Sequence, residues 1–237
     1  GKLSLTDVEI QNCKQRGIGS VGGDVTLQNV TLQNPGEFGV TASKTSEFTG
    51  QVTARNLTVS GVKSNALNCN GSVMSVTAGN IYNIDGNGAY GEKGGQLSLT
   101  DVKMRDCLKR GIYLRNEQTK AIITETRISD TGSSSIFLEA GTTVEANHVT
   151  VNTSKSYGVF VKSGTLKGQD LSITGTTQNG LHVASSTEEG KAAVDIDGLT
   201  VKNTKERGVQ NIGGDVTLEN VSIANVGTYG ATTSKAG

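Results

Sequence analysis

The sequence predicts an all-β fold, a right-handed parallel β-helix (a solenoid) of about ten coils of 22–28 residues, with three short strands per coil. Three observations carry this. A small residue recurs at Gly17, Gly39, Ala66, Gly88, Gly111, Ser135, Gly158, Gly180, Gly208 and Gly230, spaced 22–24 residues apart and stretched to 27 and 28 at two places. Seven residues before each stands an apolar partner: Ile10, Leu32, Val59, Ile81, Met104, Ile128, Val151, Ile173, Val201 and Ile223. The apolar residues fall in apolar-x-apolar triplets, and no segment shows the i, i+3, i+4 spacing of a helix.

Each element of the repeat can be read by counting from the small slot. Positions minus 14 and minus 12 give the first triplet, as in Leu3 and Leu5, Leu97 and Leu99, or Val194 and Ile196. Positions minus 9 and minus 7 give the second, as in Val8 and Ile10, Val30 and Leu32, or Val102 and Met104. Positions plus 1 and plus 3 give the third, as in Ile112 and Leu114, Ile136 and Leu138, or Val159 and Val161. Such triplets mark short strands with one buried face. Between the first two, Asp7, Asn29, Asn56, Asp101, Asp170 and Asn220 supply a left-handed bend, and stacked Asn side chains can bond along the ladder. A second polar slot at minus 5 holds Asn12, Asn34, Asn83, Asp106, Asp130, Asn203 and Asn225. The small slot requires either positive φ or close backbone approach. Crossover handedness favours a right-handed winding. Ten coils at ~4.8 Å each make a rod about 48 Å long. A β-propeller fits less well, because its blades need four strands and about 40 residues.

Composition narrows the function classes. Lys+Arg and Asp+Glu balance at 22 each, so no basic field attracts nucleic acid or an anionic membrane. No run of about 18 apolar residues exists to span a bilayer. No signal peptide is visible, and Gly1 reads as the start of a mature or excised piece. Cys13 and Cys107 hold the same slot four coils apart, roughly 19 Å, and Cys69 lies two coils from either. All three read as free, buried thiols without the clustering a metal site needs.

A longer repeat overlies the short one. LSLTDVEIQNCKQRGI (3–18) returns as LSLTDVKMRDCLKRGI (97–112), and QRGIGSVGGDVTLQNVTLQN (15–34) returns as ERGVQNIGGDVTLENVSIAN (206–225). This reads as tandem duplication of a block of about four coils. Residues 1–237 are expected to form a single β-helix domain that is a segment of a longer solenoid. Further coils or a capping chain are expected at both open ends.

The pattern of LSLTDVKMRDCLKRGIYLRN (97–116) and VTLENVSIANVGTYGATTS (216–234) resembles the pectin-lyase-like superfamily of right-handed parallel β-helices, across the whole chain. That fold serves lyases, hydrolases, phage tailspikes and non-enzymatic surface adhesins. In that superfamily the shortest turn joins the second and third sheets. Mapped here, it is the minus-10 bend, and the strand after the small slot becomes the first sheet, whose outer face would bear the polysaccharide cleft.

On that face the plus-2 column of coils 4 to 8 reads Tyr90, Tyr113, Phe137, Phe160 and His182, four of the nine Phe and Tyr residues of the chain. Beside it, at plus 4, run Glu92, Arg115, Glu139 and Lys162, in alternating charge. Two long loops frame the columns, 43–51 with Phe48, and 185–191. These nine residues are the candidate ligand-binding set. Aromatic faces can stack on sugar rings or on a protein partner, while charges supply hydrogen bonds. The same ladder could instead stabilise the sheet, or lie covered under a loop or chain.

No catalytic residue, metal site or cofactor is assigned. The resemblance implies, for glycosidases, close carboxylates and a Gly-His-Gly-type segment, which Gly180-Leu181-His182 does not match. Glu92 and Glu139 are two coils apart, roughly 9–10 Å, near the upper end of inverting glycosidase spacing, but Arg115 between them reads as a salt-bridge ladder. The lyases' calcium-binding Asp cluster has no counterpart in the cleft columns; Asp195, Asp197 and Glu219 share a face elsewhere. His148 fills a turn slot. The Gly-rich stretch 83–95 lacks the strand-to-helix switch of a phosphate loop, and no Ser-His-Asp order or HExxH is present. The reading from sequence is therefore a non-catalytic extracellular or cell-surface β-helix segment, a stalk or adhesive surface binding glycan or protein. The rival is a polysaccharide lyase or glycoside hydrolase of the same fold.

Overall fold

The computed structural model describes residues 1–139, 141–186 and 188–236, and shows ten stacked coils of parallel strands with no helix. All three triplets are present in the repeat, but the first two run as one bent strand of ten to twelve residues, such as Lys2–Gln11 and Gln96–Cys107. The third is a strand of three to six residues, such as Ile112–Leu114. In the sixth coil the long strand is interrupted, giving Lys120–Thr124 and Arg127–Thr131. The long strands form an 11-stranded sheet and the short ones a 10-stranded sheet.

The bends sit where Asn and Asp were read. At minus 10, Asp7, Asn29, Asn56, Asp101, Asp170 and Asn220 have φ of 47–55°. The same left-handed geometry appears at Ala78, Glu125 and His148, which lack that sequence signature or carry it weakly. Side chains bond up the ladder: Asn29 Nδ2 donates to Asp7 Oδ1 at 2.7 Å, and Asn56 Nδ2 to Asn29 Oδ1 at 2.8 Å. His148 belongs to this row, with Nδ1 3.0 Å from Asp170 Oδ2. The minus-5 slot repeats the device, with all seven of its named Asn and Asp residues at φ 50–56°.

The small slot is set by close approach rather than by a positive φ. A Cβ on Gly111 would stand 2.7 Å from the carbonyl oxygen of Ser135 in the next coil and collide with Ile128. Gly158, Gly180 and Gly208 face Ile173, Val201 and Ile223 in the same way. The apolar partner at minus 7 thus packs into the notch that the preceding coil leaves open, which is why the two positions recur together. Ser135 keeps its side chain by bonding sideways, with Oγ 2.9 Å from Thr131 Oγ1.

Between the sheets runs one continuous core that includes Leu32, Leu67, Met74, Ile81, Leu99, Met104, Ile112 and Ile123, all at most 1% exposed. Burying each such side chain is worth about 1.5–3 kcal/mol. Cys69 and Cys107 belong to it, and burial pushes their thiols up to about 11 and about 12. Cys13, in the first coil, is partly exposed where a buried thiol was expected. Leu3 in the first coil and Val221 in the last are 45% and 42% exposed. Of the loop 185–191, Thr187 lies outside the described residues. No helix among the described residues is long and apolar enough to cross a membrane.

Candidate functional site

The short strands hold the plus-2 column in register. Tyr90 pairs with Tyr113, Tyr113 with Phe137, Phe137 with Phe160, and Phe160 with His182. Their flanking residues point into the core, so strand alternation puts the five rings on the outer face. Successive ring centroids lie 5.3, 5.4, 4.9 and 4.7 Å apart, close to one strand spacing.

The rings therefore pack largely on one another. Phe137 and His182 are each only 7% exposed although neither is in the core. A second column at minus 1 covers them from the side, and sequence reasoning missed it. Arg110 lays its guanidinium 4.4 Å from the Tyr113 centroid and 4.6 Å from that of Phe137. Tyr157 stacks on His182 at 4.5 Å and 10°. Asn65 and Asn87 join through a 2.8 Å hydrogen bond from Asn87 Nδ2. The available signal was the triplet pattern Gln-Arg-Gly, Lys-Arg-Gly and Glu-Arg-Gly ending at Gly17, Gly111 and Gly208. The ladder's accessible chemistry is consequently its polar edge rather than a row of open ring faces.

That edge is built from phenol–carboxylate pairs. Tyr90 Oη donates to Glu92 Oε2 at 2.9 Å, and Asn70 Nδ2 donates to Glu92 Oε1 at 3.1 Å. Tyr113 Oη donates to Glu139 Oε1 at 2.6 Å, a length typical of a charge-assisted bond. Burial and the bonded carboxylate push Tyr90 up to about 12, and the same causes in the same order hold Tyr113 higher still. Arg115 lies beside these groups; Tyr90 first, then Tyr113, favour its charged form, with Glu139 adding to them. The expected salt-bridge ladder is corrected. Among the described residues, Arg115 has no carboxylate oxygen within 4.0 Å, because the phenols occupy the carboxylates. Lys162 turns away to the long loop and pairs with Glu189 at 3.0 Å.

An amide meets the His182 ring. Its Nδ1 lies 3.2 Å from Asn179 Nδ2, and Asn179 also donates to Gln210 Oε1 at 2.8 Å. Burial lowers its pKa, and Arg207 lowers it further, against a raising contact from Gln210. The unfolded chain, at about 6.5, then takes up this proton before the folded one. His182 contributes stability above that pH, and the contribution is lost as pH falls toward the folded value. Thermal unfolding is expected to lose more midpoint between pH 7 and pH 5 in the parent than in His182→Gln; equal losses would show that this ring does not report pH.

Other candidates stand apart from this face. Asp197 lies in the long-strand sheet and accepts from Asn220 Nδ2 at 2.6 Å, with Glu219 beside it in register. Among the described residues no group of three or more His, Cys, Asp and Glu is placed to hold a metal ion. Phe48 is exposed at the end of the face near Gly22.

A family model described as the right handed beta helix region matches residues 16–177. A search of curated protein sequences finds no match. Among solved structures the chain is similar to the catalytic domain of a GH87 α-1,3-glucanase in complex with nigerose, at 10% identity and TM-score 0.54, covering 99% of this chain and 63% of that domain. It is similar to a periplasmic alginate epimerase at 9% identity and TM-score 0.62, covering 97% of this chain and 69% of that one. It is also similar to the A-module of an Azotobacter vinelandii mannuronan C-5 epimerase, at 10% identity and TM-score 0.57, covering 100% and 79%. All three are carbohydrate-active enzymes, which corrects the expectation of a non-catalytic stalk or adhesive segment. At such identity the likeness carries the fold, and the glucan and alginate chemistries are those proteins' own. With the family match extending over 16–177, more than half of the chain, and ten parallel coils observed, the protein belongs to the right-handed β-helix family.

Proposed function

We propose that this chain acts on a polysaccharide laid along the outer face of the short-strand sheet, and that it breaks a glycosidic bond there. The observation that carries the reading is the pair of phenol–carboxylate contacts, Tyr90–Glu92 and Tyr113–Glu139, on one face with Arg115 between them. Bond cleavage between sugars needs one group to deliver a proton to the leaving oxygen and another to accept one. Glu92 and Glu139 stand two coils apart, about 9–10 Å by strand spacing, which leaves room for a water and a sugar ring. The phenols fix both carboxylates in place, and Arg115 supplies positive charge beside them. The aromatic ladder gives a stiff platform, and the polar edge meets the hydroxyls of the chain. An extracytoplasmic setting, extracellular or periplasmic, suits a polymer substrate of this kind.

The test is product formation from a panel of plant, algal and bacterial polysaccharides. New reducing ends report cleavage, and ultraviolet absorbance of unsaturated ends separates elimination from hydrolysis. Product from the parent that falls at least tenfold in Tyr113→Phe supports the proposal. Absence of cleavage across the panel, or a Tyr113→Phe rate equal to the parent's, overturns it.

A further inference from the structure

Two places on the long-strand sheet set like charges side by side. Lys103 of the fifth coil pairs in register with Arg127 of the sixth, and Asp197 of the ninth with Glu219 of the tenth. All four residues are exposed. Among the described residues, none of the four makes an ion pair within 4.0 Å. Like charges directly opposite one another weaken a sheet, so each pair is an uncompensated cost within the chain.

The two pairs can relieve each other only between molecules. They flank the row of left-handed bends on opposite sides, the cations at minus 8 and the anions at minus 11. Along the rod they stand four coils, roughly 19 Å, apart. A two-fold axis that crosses the bend row between the seventh and eighth coils sets the fifth coil against the tenth of a second copy, and the sixth against its ninth. The same rotation exchanges minus 8 with minus 11. Lys103 then faces Glu219 of the second copy, Arg127 faces its Asp197, and symmetry makes each contact twice. Nowhere along the overlapping coils does this rotation bring like charges face to face. Asp101 and Glu125, in the bends of the fifth and sixth coils, come opposite Asn220 and Gly198. The rungs beside the axis set Thr150 against Gln169 and Ser172 against Asn147, all uncharged, and His148 is already paired with Asp170 at 3.0 Å.

We infer that this chain pairs with a second copy of itself as two antiparallel rods, joined along the bend row of the long-strand sheet by Lys103 and Arg127 of each copy against Glu219 and Asp197 of the other. The bends form an outward ridge, so the contact is confined to the side chains that flank it. Exposed ion pairs each contribute little and are screened by salt, so the pairing is weak and salt-sensitive. The short-strand sheet takes no part in it. Its outer face stays open on both copies, and the pairing is independent of the cleavage proposed there.

Analytical ultracentrifugation over a concentration series tests this, with the parent and two charge-reversed proteins, Lys103→Glu/Arg127→Glu and Asp197→Lys/Glu219→Lys. The parent is expected to approach twice the monomer mass in about 0.02 M salt, and to associate about tenfold or more weakly in about 0.5 M salt. Each reversed protein alone is expected to stay monomeric in low salt, because both of its rows then carry one sign. An equimolar mixture of the two is expected to form dimers again, since the rows of one complement those of the other. A parent that remains monomeric at every concentration in low salt overturns the inference. Association that salt does not weaken, or that either reversal leaves intact, also overturns it, because another surface then holds the copies together. Reversed proteins that stay monomeric when mixed overturn the pairing of these two rows. If a double reversal does not reproduce the parent's circular dichroism, Arg127→Glu and Asp197→Lys make the same comparison, singly and mixed, because these two positions face each other across the axis.

Discussion

Gly158→Ala is expected to destabilise the β-helix by about 2–3 kcal/mol, while Gly230→Ala in the same slot costs less than about 0.5 kcal/mol. A methyl at Gly158 would collide with Ile173 and stand 2.8 Å from the carbonyl oxygen of Gly180. Both obstacles are parts of the next coil, and the carbonyl belongs to a backbone already committed to the ladder: Val159 donates its N–H to Gly180 O at 2.9 Å. Relief requires the coils to separate locally or Ile173 to leave its place in the core. Around a methyl at Gly230, in the last coil described, nothing lies within 4 Å. Equilibrium unfolding in urea measures both. Equal effects at the two sites would show that the slot answers to local backbone preference and not to stacking.

The largest effect on function is expected at the two carboxylates. Glu139→Gln and Glu92→Gln should each lower the cleavage rate by on the order of 10²–10⁴, the usual contribution of a positioned acid or base. Glutamine keeps the shape of the side chain and an oxygen able to accept the Tyr113 or Tyr90 hydroxyl, so the fold and the phenol positions persist. What disappears is the capacity to take or give a proton. Binding of substrate is expected to change only a few-fold, which places the loss in turnover. The double variant should fall little further than the worse single one, because the two groups act on one reaction. Glu145→Gln serves as the control, since that residue lies in the long-strand sheet away from this face. Parent-like turnover in both single variants would remove Glu92 and Glu139 from the chemistry.

Most of the fold was readable because each coil repeats the same demands at the same spacing. The apolar partner and the small residue had to recur together, since one fills the notch of the other, as Ile128 of the next coil does at Gly111. The bends were readable where Asn or Asp marked them, and were missed at Ala78 and Glu125, where stacking on both sides imposes φ of 56° and 51° on residues with no such preference. The single bent strand was hidden because a left-handed residue does not break the ladder of a parallel stack: Thr100 and Val102, on either side of Asp101, both keep their partners in the coil below.

The site was legible only as columns. Register along plus 2 followed directly from the repeat, so the five rings could be placed. Which groups of different columns meet could not, since that depends on how the chain turns between minus 1 and plus 2. Arg110 over Tyr113 and Tyr157 against His182 come from that turn. Partner choice along plus 4 was misread for the same reason. Alternating signs suggested Glu92, Arg115 and Glu139 pairing with one another, whereas the phenols of Tyr90 and Tyr113 reach the carboxylates instead.

The most direct measurement is a crystal structure of Glu139→Gln soaked with an oligosaccharide from the polymer that the parent cleaves. The account predicts sugar density along the outer face of the short strands, crossing the rungs of Tyr90, Tyr113 and Phe137 with a glycosidic oxygen between Glu92 and position 139. Density on the long-strand sheet or at an open end of the rod, with this face bare, would contradict it.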